Sequence, residues 1–209
     1  QDNRAEIVEK EQTSAEVVVS ILRSIVGLPY TWHGSSADGA SELLEWYPPA
    51  KELSARSRSD WILRGFDSAG MLFRASGGIT PLELKALEIL GTAYTVDLSK
   101  IPIQDVRAKS QAIISGLRPL DLMISGDRMW IVLSGSEVIE SRYKSAFDGE
   151  VQITPLLDTV YGLLQKSAFV TDPISEANRQ QKTFFIRRFW PLNSPTASQN
   201  AQSAPESTP

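Results

Sequence analysis

Apolar residues fall on one helical stripe near the start of the chain, at Val17, Val18, Ile21, Leu22 and Ile25. Ser14 is placed to cap that helix, and Gly27-Leu28-Pro29 to stop it. A central helix is predicted over Asp67 to Ser76, with Met71, Leu72 and Phe73 toward a core and Gly77-Gly78 closing it. Pro81 to Leu90 reads as another helix, with Leu84, Leu87 and Ile89 apolar, and a short helix is expected within residues 101–116. Strands follow at Leu120 to Ser125, Met129 to Leu133, Val138 to Tyr143, Val151 to Thr154 and Thr183 to Phe189, and Leu156 to Gln165 is a helix between the last two. Gly135-Ser136 supplies the turn of a β-meander.

Less patterned segments divide the rest. Residues 1–13 are charged and poor in apolar side chains, so they read as an exposed lead-in. Residues 193–209, rich in Ser, Pro, Ala, Gln and Thr, read as a disordered tail. One domain is expected over 14–192, with an insertion at 35–64 that carries Ser-Ser, Asp-Gly and Pro48-Pro49 and a short helix near Ser41 to Trp46. Trp46 and Trp61 in that insertion are expected to form a satellite core.

With 209 residues, 42% of them hydrophobic, the chain can bury one core without a metal or disulfide staple. A net charge of -4 argues against a nucleic-acid partner. No apolar run approaches the roughly 20 residues of a transmembrane helix. The start at Gln1 reads as processed or trimmed, and export after loss of a signal peptide is expected. The sequence has no cysteine and one histidine, which excludes disulfides, thiolate catalysis and zinc-thiolate sites. No metal and no cofactor is expected.

Three segments carry a family resemblance. Gly65-Phe66-Asp67-Ser68-Ala69-Gly70-Met71 resembles the Gly-hydrophobic-Asp-Cys-Ser-Gly-Leu nucleophile motif of NlpC-type cell-wall cysteine peptidases, with Ser68 at the Cys position. Pro29-Tyr30-Thr31-Trp32-His33-Gly34 is similar to that family's Pro-Tyr-x-Trp-Gly-Gly segment, with His33 for the first Gly. Leu117-Arg118-Pro119-Leu120-Asp121-Leu122 resembles the segment that leads into the strand of the catalytic His. By register, Arg128 then occupies the His position and Glu140 that of the third triad member. The resemblance implies an α+β, papain-like fold: N-terminal helices, including the central one, packed on an antiparallel sheet of about five strands.

It implies a cleft at the start of the central helix, and there the chemistry departs from the family. A helix N-terminus helps a thiol ionise but cannot do the same for an alcohol, which needs a neighbouring base. Arg128 is permanently protonated and cannot be that base. A Ser68, Arg128 and Glu140 set therefore reads as an inactive triad, with Arg128 and Glu140 paired to each other. Read alone, Arg128 fits an outward position, Glu140 fits a surface strand position, and Ser68 fits an ordinary helix start. Tyr30, Trp32, His33 and Asp67 are the candidate binding residues.

The leading expectation is a non-catalytic pseudoenzyme that binds a peptide, either a peptidoglycan stem peptide or a protein segment, or acts as a scaffold for a protein partner. The alternative is a peptidoglycan hydrolase that uses Ser68 with His33 or Glu140 as base, or one silenced by an engineered change at Ser68. A single engineered change does not account for His33, Ala69, Leu82 and Arg128 departing from the family together.

Overall fold

The computed structural model describes residues 14–145, 148–171 and 182–189. The lead-in over 1–13 and the tail over 193–209 lie outside them. In chain order the elements are α1 (Ala15–Ser24), β1 (Ser35–Ser36), α2 (Leu43–Trp46), α3 (Ala55–Trp61), β2 (Gly65–Phe66), α4 (Ser68–Ala75), α5 (Leu84–Ile89) and β3 (Thr92–Ala93). They continue with α6 (Val106–Ile114), β4 (Asp121–Ser125), β5 (Arg128–Val132), β6 (Glu137–Ser145), β7 (Asp148–Pro155), α7 (Leu156–Leu164), β8 (Ala168–Phe169) and β9 (Thr183–Arg188).

The main sheet runs β3-β9-β4-β5-β6-β7, antiparallel throughout, with β8 added in parallel to β9. Five of these strands are the long ones expected from sequence. The two-residue strands β3 and β8 extend the sheet, and β1 and β2 form a separate small pair.

Alternation along the strands gives the sheet two buried faces. On one, Met129, Ile131, Ile139 and Val151 pack with Val18 and Leu22 of α1 and with Met71 and Leu72 of α4. On the other, Trp130, Val132 and Val138 pack with Ile113 of α6 and with Leu156 and Val160 of α7. Each fully buried aliphatic side chain contributes about 1.5–3 kcal/mol by leaving water, so both layers hold the sheet in place.

Helix α1 starts where expected, with Ser14 Oγ accepting the Val17 N–H at 3.3 Å. Its buried stripe is Val18, Leu22 and Ile25, while Val17 is 48% exposed. The expected apolar position Ile89 on α5 is also exposed. At the far side of the sheet, Asp121 is almost fully buried and is held by the Arg188 guanidinium through Nε at 2.9 Å and Nη2 at 2.7 Å. That two-pronged contact ties β4 to β9.

The satellite core expected in the insertion does not form. Trp46 and Trp61 are both exposed, and Trp61 Nε1 donates to the Tyr47 carbonyl at 2.8 Å. Arginine and small residues anchor the segment instead. Arg56 Nη2 donates to the Tyr30 carbonyl at 2.6 Å, and Thr31 Oγ1 donates to the Arg64 carbonyl at 2.6 Å.

Candidate functional site

A cleft of about 530 Å3 opens where the start of α4 meets the ends of β5 and β6. Tyr30, Trp32 and His33 border it from the loop after α1, and Asp67, Ser68 and Ala69 from the start of α4. Leu82, Glu83, Leu84 and Lys85 come from the α5 approach, Gly126, Asp127 and Arg128 from the β4-β5 turn, and Ser141 and Tyr143 from β6. Six of the seven candidate residues read from sequence thus line one cleft. Glu140 does not line it and lies behind Arg128.

The motif glycines explain how these loops come so close. A side chain on Gly70 would collide with the carbonyl of Gly34, and one on Gly65 with that of Pro29. Gly65 also has φ +129°, a backbone region that L side chains rarely adopt. Both positions therefore require glycine for the Tyr30 loop to lie on the helix start. Backbone bonds then lock the approach: Asp67 N–H to Gly34 at 3.0 Å and Phe66 N–H to Pro29 at 3.0 Å.

Asp67, not Ser68, caps α4. Its Oδ1 accepts the Gly70 N–H at 2.7 Å and its Oδ2 accepts the His33 N–H at 3.0 Å. Burial still outweighs these bonds and raises the Asp67 carboxyl above its ordinary range. Ser68 is the first helical residue, half-buried, and makes no side-chain hydrogen bond among the described residues. His33 sits at φ 57°, where a glycine fits without strain. Its ring meets Trp32 edge-on at 4.4 Å. It makes no hydrogen bond to Ser68 among the described residues.

Arg128 begins β5. It shares a strand side with Trp130, whose ring lies 4.6 Å from the guanidinium carbon. Trp130 pairs with Glu140 across β5-β6, and Glu140 pairs with Gln152 across β6-β7. The three side chains form one chain of contacts: Arg128 Nη2 reaches Glu140 Oε2 at 2.5 Å, and Gln152 Nε2 donates to Glu140 Oε1 at 3.0 Å. The Glu140 side chain is only 6% exposed, against 48% for Arg128. On β6 the residue turned toward α4 is Ser141, whose Oγ donates to the Phe66 carbonyl at 2.5 Å.

The Tyr30 and Tyr143 rings lie 5.6 Å apart at 56°. Burial raises the Tyr30 phenol pKa, and the nearby carboxylates Asp67 and Asp127 raise it further. Sequence reasoning missed Asp127, Ser141 and Tyr143, because their place in the cleft depends on strand register. Among the described residues, no three His, Asp or Glu side chains converge on a metal position, and no helix is long and apolar enough to cross a membrane.

No protein-family model and no curated protein matches the chain. Several solved structures are similar to it. RipD from Mycobacterium tuberculosis, described as a non-catalytic NlpC/p60 domain protein adapted to peptidoglycan binding, is 18% identical over 69% of this chain and 88% of its own, with TM-score 0.42. The P60 domain of an antigen from M. avium paratuberculosis is 17% identical over 84% and 93% of the two chains, with TM-score 0.43. A mutated form of RipA, a protein that interacts with a resuscitation promoting factor, is 17% identical over 83% of this chain and 61% of its own, with TM-score 0.43. The chain is similar to the NlpC/p60 domains, the family that the order of its sequence motifs resembles.

Proposed function

We propose that this chain is a non-catalytic NlpC-type protein that binds a peptide, of the kind found in peptidoglycan stems, in the cleft at the start of α4. One observation carries the reading: Arg128, the residue that sequence register sets at the catalytic-base position, is a guanidinium tied to Glu140 and Trp130 on the strand side away from α4, with no lone pair to offer Ser68. An alcohol nucleophile without a base lacks the proton transfer that acyl chemistry requires. The aromatic rings of Tyr30, Tyr143 and Trp32 still offer binding surface. Binding without turnover is what remains when those features stay and the base is lost. Export to the cell envelope is part of the same proposal.

The reading is tested by incubating the chain with soluble peptidoglycan fragments and measuring heat of binding alongside product masses. Saturable binding with no new masses is the expected result. Cleavage that disappears in Ser68→Ala would return the chain to the hydrolases.

A further inference from the structure

The charges that face the cleft differ from those that border it. Its two permanent cations are engaged by their own partners. Arg128 is bonded to Glu140 at 2.5 Å, and Lys85 Nζ lies 2.9 and 3.2 Å from the two oxygens of Glu88. The Asp67 oxygens accept backbone N–H groups as a helix cap. Asp127 differs from all of these. Like the exposed Glu83 of the α5 approach, it makes no ion pair among the described residues, and it acts electrostatically on Tyr30 from the β4-β5 turn.

Asp127 lines the cleft together with two aromatic rings, Tyr30 and Tyr143, which lie against each other and present one aromatic surface to a small group above them. Aromatic faces attract cations through their quadrupole, and a carboxylate adds charge-assisted hydrogen bonds to N–H donors. A carboxylate placed beside Asp127 would meet a like charge. We propose that the cleft seats a primary ammonium group of its ligand against the Tyr30 and Tyr143 rings and the Asp127 carboxylate. This rests on the reading of the cleft as a peptide-binding site and names the chemical class that the site selects.

The test uses soluble peptidoglycan fragments bearing a free amine and the same fragments after acetylation, titrated calorimetrically into the wild-type chain and into Asp127→Asn. Asp127 and Tyr143 are both exposed, so replacing either leaves the core intact. The amine form is expected to bind about tenfold more tightly than the acetylated form. Asp127→Asn should remove most of that ratio, chiefly by weakening the amine form, and Tyr143→Ala should reduce the ratio as well. Equal affinity for the two forms, or a ratio that survives both substitutions, overturns the ammonium seat and leaves peptide binding standing. Binding of neither form overturns both readings.

Discussion

Arg128, Glu140 and Gln152 form a line of side chains across three strands, and the burial of its middle member decides what each end contributes. Glu140 is nearly enclosed, so its charge depends on the guanidinium beside it. Arg128→Ala leaves the carboxylate with Gln152 as its one remaining donor from this line. We expect a stability loss of about 1–3 kcal/mol, below that of a fully buried pair because the arginine is half-exposed. Urea unfolding measures it, and an unchanged midpoint would contradict the structural role given to the pair.

Asp67 gives a pH signature. Burial raises its folded-state pKa above the ordinary 3.8, so the folded chain holds that proton more tightly than the unfolded chain does. Stability linked to this group therefore increases as the pH falls through the raised value toward 3.8 and decreases as it rises. Relative to Asp67→Asn, the wild type should gain stability between pH 7 and about pH 4. Denaturation at the two pH values checks the sign, and a relative loss on acidification would refute it. The cap was not legible in the sequence, where Asp67 reads as the first residue of the helix and Ser68 as an ordinary helix start; the Gly70 and His33 N–H groups on its two oxygens give the aspartate the role.

At the scale of elements, the apolar stripes of α1, α4 and α7 and the five long strands could be read locally, because each repeats its pattern over several residues. Helix α3 could not. Its sequence, ARSRSDW, has no apolar stripe, and none of its residues is buried. Its cap, Ser54 Oγ on the Ser57 N–H at 3.1 Å, starts it, and Arg56 anchors it to the Tyr30 carbonyl. Strands β1, β2, β3 and β8 are two residues each, too short for alternation to register. Arg56 makes the insertion part of the cleft's support. In Arg56→Ala, backbone amides over residues 30–34 should exchange hydrogen faster, and the chain should lose about 1–2 kcal/mol. Unchanged exchange there would show that the insertion does not hold the Tyr30 loop.

For the whole molecule, the sheet order was not legible from local pattern, because β9 returns from the end of the chain to lie between β3 and β4. That return sets the far side of the sheet, where Arg188 clasps Asp121, and leaves the β5-β6 end free to meet α4. Register then decides which β6 residues reach the cleft: Ser141 and Tyr143 border it, and Glu140 lies behind it. Motif order placed Tyr30, Trp32, His33, Asp67, Ser68 and Arg128 around one opening, since each sits at an element boundary that the motifs mark. The same register keeps Glu140 out of the cleft, and the central proposal for the molecule is that Ser68 acts without a base and does not cleave. Native mass spectrometry of the chain mixed with soluble peptidoglycan fragments tests it in one measurement, since bound and released masses are read together. The expected spectrum shows a one-to-one complex carrying the intact fragment, and shortened fragments that vanish in Ser68→Ala would contradict it.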